Sequence, residues 1–290
     1  MQHSAKGWGD CGRGPAILVA AAITLAALTL QCCAGCPLGI VEAALISLAG
    51  SEPGSISAHP IVVAMVNIVA IGVVLVLGSW LSRRPADELF PLRRFRPLLL
   101  LALFPCLLGT SIVMSEADNL TRMVIPVPSL AIEIIEQTMG GKRSVLGSLF
   151  LLVLVAPITE ELLFRGLLLR GLLRRHSATS AIIVTAFLFA LMHVNPWQFL
   201  GAFVGGLLLG WWTVSSGSLW PAILGHALNN AMPYLVRTVL PEVPGYGTPL
   251  GSAPTFHPLW FDGLGLLLFV GGLVGCALVL RSRTSQEKVP

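Results

Sequence analysis

A chain of 290 residues with 55% hydrophobic and only 11% charged positions is no ordinary soluble domain, where about a quarter of residues carry charge. Its formal charge of +4 is too small and too scattered for nucleic acid. The composition predicts an all-α, polytopic membrane protein with almost no soluble mass.

Apolar runs fall near 15–36, 61–81, 97–114, 145–169, 179–194, 199–214, 219–237 and 261–281. They reach or approach the roughly 17–25 residues of a crossing helix, and so predict eight spans, two of them short. Cys32, Cys33 and Cys36 end the first run; with no second Cys-x-x-Cys they read as small hydrophobes in an uncleaved helix. Cys11, Cys106 and Cys276 read the same way. Segment 37–50 is apolar but short and contains Glu42, which predicts a re-entrant or interfacial piece. Loop 115–144 carries Glu116, Asp118, Glu133 and Glu136 among isoleucines and predicts a solvated, partly amphipathic outside segment. Loop 238–260 is rich in Pro and Gly and suggests no chemistry.

Basic residues set the orientation. Arg83, Arg84, Arg93, Arg94 and Arg96 follow span two, Arg170, Arg174 and Arg175 follow span four, and Arg281, Arg283 and Lys288 follow span eight. Eight spans put all three clusters and Lys6 and Arg13 on one face, which the positive-inside rule makes cytoplasmic, with both termini inside. Trp197, Trp211, Trp212, Trp220, Tyr234 and Trp260 lie near span ends, as an aromatic belt would. Gly201-x-x-x-Gly205, Gly206-x-x-x-Gly210 and Gly271-x-x-x-Gly275 permit close helix contact. Three regions result: 1–144 with three spans, the interfacial segment and an outside loop; 145–237 as a polar-bearing core; and 238–290 with a loop, the last span and a tail.

Strongly polar side chains inside the spans gather in that core: Glu160, Glu161 and Arg165 in span four, His193 ending span five, and His226, Asn229 and Asn230 in span seven. A charged residue near the bilayer centre costs at least about 2.5–3.5 kcal/mol, so such groups face a protein interior. Glu161 and Arg165 are four apart with Glu first, the favourable order for an ion pair on one helix face. Glu160 projects about 100° away, with no cation of its own, and is free to accept a proton. His226 and Asn230 share a face, whereas Asn229 points elsewhere. Counted at about 1.5 Å per residue, Glu160, His193 and His226 occupy one depth layer.

A carboxylate, two imidazoles and an amide suit activation of water for attack on a peptide carbonyl. There is no H-E-x-x-H, no G-x-S-x-G and no intramembrane G-x-G-D, which argues against zinc, serine and aspartyl types. Glu160-Glu161-x-x-Phe164-Arg165-Gly166, Phe189-x-x-x-His193 and His226-x-x-x-Asn230 together resemble the CPBP family of CAAX-processing and bacteriocin-processing (Abi-type) membrane proteases, over about residues 145–235. The resemblance implies an eight-span helical fold and a metal-independent glutamate protease of a prokaryotic plasma membrane. It implies Glu160 as general base with His193 as its partner, His226 and Asn230 as the oxyanion site, and Glu161, Phe164 and Arg165 as support.

The substrate it implies is a membrane-embedded or membrane-proximal peptide, such as a prenylated tail or a leader. Two other readings remain open at the level of sequence. Two His and a Glu could ligate a catalytic zinc, although no cofactor is the favoured expectation. A non-catalytic membrane protein, such as an immunity factor or a small transporter, could use the same polar cluster for binding or packing.

Overall fold

Inside a bilayer the backbone must satisfy its own hydrogen bonds, and each of the eight apolar runs is a helix. The computed structural model describes residues 16–33, 59–129, 131–132, 145–239, 242–249 and 251–286. In chain order the helices are α1 (Ala16–Cys33), α2 (Pro60–Ser82), the single turn α3 (Ala86–Leu89), α4 (Leu98–Val124) and α5 (Leu146–Leu172). They continue as α6 (Ala178–Met192), α7 (Pro196–Ser216), α8 (Trp220–Val239) and α9 (Leu259–Gln286). No strand occurs among the described residues. Segment 37–50, Cys11 and Cys36 lie outside them.

Six helices, α1, α2, α4, α5, α7 and α9, are long and apolar enough to cross a membrane. Helix α6 has only 15 residues, and α8 is diluted by His226, Asn229 and Asn230. The chain is therefore a multi-pass membrane protein, with length and composition supporting six of the eight expected crossings. Its outer surface is apolar: Val76, Leu101 and Leu267 are 69, 72 and 70% exposed, as lipid-facing residues must be.

Local sequence places the helix ends. Asn195 caps α7 by accepting from Trp197 N and Gln198 N, Pro196 follows at the first turn, and Gly217 ends the helix at φ 66°. Ser177 caps α6 through Ser180 N. Helix α4 runs ten residues past the expected end of its span, to Val124, so Glu116 and Asp118 stand on a helix rather than in a solvated loop. Its end is tied by Arg122, which ion-pairs with Asp118 at 2.9 Å and donates to Asn119 Oδ1 and Pro249 O.

Small residues set the closest helix approaches, although not always the expected ones. On α7, Gly206 lies against Ala186 and Gly210 against Ile182, as the Gly-x-x-x-Gly spacing predicts. The α4–α9 contact instead uses Gly109, Gly265 and Gly272, where an added Cβ would strike the partner helix; Gly271 touches nothing. Trp212 is not part of an aromatic belt. It is fully buried and packs on Gly225.

Candidate active site

The site is built on α5, which is not a regular α-helix. Turns of π-helix at Phe150–Val155 and Leu162–Leu168 flank the α-helical stretch Ala156–Glu161. Such widened turns free backbone carbonyls and recur at functional sites. One freed acceptor is used at once: Asn230 Nδ2 donates to Leu152 O at 2.8 Å. Since a carbonyl only accepts, this bond fixes the Asn230 amide and occupies one of its two N–H groups.

Glu161 and Arg165 form the expected pair, Oε1 to Nη1 at 2.8 Å, both side chains 0% exposed. Arg165 also donates to Gly206 O at 2.9 Å, and its guanidinium lies 4.6 Å from the centre of the Phe189 ring. A buried cation thus meets a carboxylate, a carbonyl and a π face at once, which offsets much of its desolvation. Phe164, fully buried, packs edge-on against Phe189 with ring centres 5.2 Å apart. A Cβ on Gly166 would come within 2.6 Å of the Phe90 ring, so glycine there lets Phe90, just after α3, close against α5. Every fixed letter of the Glu-Glu-x-x-Phe-Arg-Gly segment beyond Glu160 therefore has a packing or pairing role.

His226 joins the two glutamates. Its Nδ1 lies 2.9 Å from Glu161 Oε1, and its Nε2 lies 4.0 Å from Glu160 Oε2. With Arg165 holding Glu161 as an acceptor, Nδ1 carries the proton. A neutral His226 then presents a lone pair at Nε2 toward Glu160, and only the imidazolium can donate from that atom. Glu160 Oε2 is buried and makes no hydrogen bond. In a folded protein such an orphan calls for a functional explanation.

His193 caps the end of α6, and its Nδ1 donates to Phe189 O at 2.8 Å. That bond uses the four-residue spacing of Phe189 and His193 and leaves Nε2 as the free acceptor. The Phe189 ring lies 4.9 Å from His193 and 5.6 Å from His226, edge-on to both. Val194 follows at φ 49°, a left-handed conformation that costs a β-branched residue about 1–3 kcal/mol. No hydrogen bond joins His193 to Glu160.

His193, His226, Asn229 and Asn230 border a cavity of about 490 Å³ between α4, α6, α7 and α8, a volume suited to a peptide segment or lipid-like group. Asn229, which helix geometry turned away from the site, also borders it. Glu160 is not part of the wall; it stands behind His226, its Oε2 4.0 Å from His226 Nε2. Ser111, Ser115, Asp118 and Tyr246 also line the cavity. Tyr246 comes from the loop that suggested no chemistry; its hydroxyl bonds Ser111 at 2.7 Å, and burial pushes its phenol above the usual range. Sequence reasoning missed Asn67 as well: its Oδ1 accepts from Thr159 at 2.7 Å, tying α2 to α5 beside Glu160.

The site residues fall inside one matched region. Residues 142–232 fit the family model described as type II CAAX prenyl endopeptidase Rce1-like. This segment resembles an Rce1-like CAAX protease domain. It covers roughly a third of the chain, and its limits enclose Glu160, Glu161, Phe164, Arg165, His193, His226 and Asn230. No curated protein and no solved structure matches the chain. Within the Rce1-like domain, Glu160, His193 and His226 do not converge as a three-ligand set. Among the described residues the grouping with metal-ligand spacing is Glu116, His257 and Asp262, outside the domain.

Proposed function

We propose that the chain is an intramembrane endopeptidase that hydrolyses a membrane-associated peptide with water activated by Glu160. The observation that carries this reading is the buried, unbonded Glu160 Oε2 set 4.0 Å from Nε2 of His226, a residue that lines the cavity. A direct hydrogen bond is too long at that separation, but a water beside both atoms can reach each.

Glu160 accepts the proton as the water oxygen attacks the scissile carbonyl, with His193 Nε2 accepting from the second O–H to hold the water in line. Charge developing on the carbonyl oxygen is met by the second Asn230 N–H and by Nε2–H of an imidazolium His226, which Glu161 stabilises through Nδ1. Glu160 then returns the proton to the leaving amine, so the reaction balances as one water consumed and two chain ends produced. Arg165 and Phe164 act at one remove, holding Glu161 and Phe189. A peptide with an apolar anchor, such as a prenylated tail, fits the mixed lining of the cavity.

The test compares membrane peptides from cells producing the wild type or Glu160→Gln, together with release of the tail from a farnesylated CAAX peptide by the purified chain. Processing that disappears in the variant while its melting temperature is unchanged supports the reading. Identical peptide profiles and equal cleavage rates would overturn it.

A further inference from the structure

We propose that Glu116, His257 and Asp262 form a binding site for a divalent transition metal of the zinc type, outside the protease domain and independent of its activity. Three elements distant in sequence deliver the ligands: α4 gives Glu116, the 242–258 loop gives His257, and the first turn of α9 gives Asp262. His257 Nδ1 is 2.9 Å from Asp262 Oδ1 and 3.6 Å from Glu116 Oε2, and the three donor atoms all lie within 4.8 Å of one another. Bond lengths of about 2.0–2.2 Å in a tetrahedral zinc site put ligand atoms about 3.3–3.6 Å apart. The cluster brackets that spacing, so small side-chain shifts would complete three corners and leave the fourth for water.

Two further observations point to a cation. Among the described residues, His257 is the only charged or titratable partner of either carboxylate, since Arg122 is taken by Asp118. The single N–H at Nδ1 reaches Asp262 Oδ1 and leaves Glu116 Oε2, at 3.6 Å, beyond hydrogen-bond reach of it. The surroundings are also arranged as ligand supports. Asn119 Nδ2 donates to Glu116 Oε2 at 3.0 Å, and the His257 backbone N–H lies 3.2 Å from both Glu116 oxygens. His257 Nε2 is 3.3 Å from Ser115 Oγ. With a metal on Nδ1, Nε2 carries the proton and donates to that hydroxyl, the outer hydrogen bond that ligating histidines usually make.

The imidazole side chain is 0% exposed while the carboxylates are 24% and 32% exposed, so the ion enters from the acidic side. An imidazole with two carboxylates favours zinc over calcium or magnesium, which prefer oxygen alone. Bound there, the metal would staple the loop that brings Tyr246 to the cavity wall.

The full-length chain in detergent, stripped with a chelator, is titrated with Zn²⁺ and with Co²⁺, reading bound metal by mass spectrometry and cobalt by its visible absorption. One equivalent per chain is expected for the wild type and for Glu160→Gln and His226→Asn. His257→Gln, Asp262→Asn and Glu116→Gln should each bind at least about tenfold more weakly. If His257→Gln does not fold, the two isosteric carboxylate variants carry the test. The proposal is overturned if the wild type binds neither metal at micromolar concentration, or if Asp262→Asn and Glu116→Gln bind as tightly as it does. Loss of the equivalent in Glu160→Gln or His226→Asn, but not in His257→Gln, would assign the metal to the inner site instead.

Discussion

Two polar clusters, each with two carboxylates and one histidine, are balanced in opposite ways. At the inner cluster a permanent cation, Arg165, neutralises Glu161, so His226 is held by one glutamate and aimed at the other. At the outer cluster His257 is the only cation-capable partner for both Glu116 and Asp262 among the described residues. The inner arrangement leaves a carboxylate with a lone pair to use, while the outer one leaves a demand for positive charge. Depth explains the difference. Glu161 and Arg165 are fully buried and could not be left uncompensated, whereas the outer carboxylates are partly solvated and tolerate an excess that an ion can fill.

The comparison breaks most visibly at Glu160. Glu160→Gln keeps the shape of the side chain but removes its basicity, and should lower peptide cleavage by about 10²–10⁴-fold with the melting temperature unchanged. A loss of folding rather than rate would make Glu160 structural and erase the distinction from Glu161. Next in size is Arg165→Met, which strands the Glu161 charge and should cost about 3–5 kcal/mol of stability. Thermal unfolding in detergent measures this, and the double variant Glu161→Gln/Arg165→Met should recover most of the loss. If it does not, the Gly206 and Phe189 contacts of Arg165 matter more than its charge.

Smaller effects test the supports. Asn230→Ala leaves Leu152 O unbonded in a widened helix turn and should destabilise by about 1–3 kcal/mol, read by the same unfolding assay. Tyr246→Phe removes the hydroxyl bond to Ser111 and should cost about 0.5–1.5 kcal/mol, with little change in cleavage. Val194→Gly relieves the left-handed backbone but adds chain freedom, so the net change should stay within about 1 kcal/mol. A drop in cleavage without loss of stability there would show that a stiff turn is needed to hold His193.

What could be read from the sequence was what one helix decides by itself. A helix advances by a fixed rise and angle, so Glu161 with Arg165 and Phe189 with His193 meet at four-residue spacing wherever the helix sits. Apolar length likewise gave six of the eight expected crossings, and in-membrane charge marked the region that matches a protease domain. Relations between helices were not legible, because in a bilayer the buried and lipid-facing sides are equally apolar. Val74 is 6% exposed and Val76 69%, yet the residue type is the same. Hydropathy therefore carries no signal for which faces meet, or for His226 spanning both glutamates across 65 residues. The same holds for the π turns that free Leu152 O. The outer cluster was hidden for another reason: its histidine lies in a Pro- and Gly-rich loop with no periodicity to read. Residue type and helical spacing picked out the groups proposed for the chemistry; tertiary packing alone decided that His226 stands between two carboxylates and that His257 brings two more together.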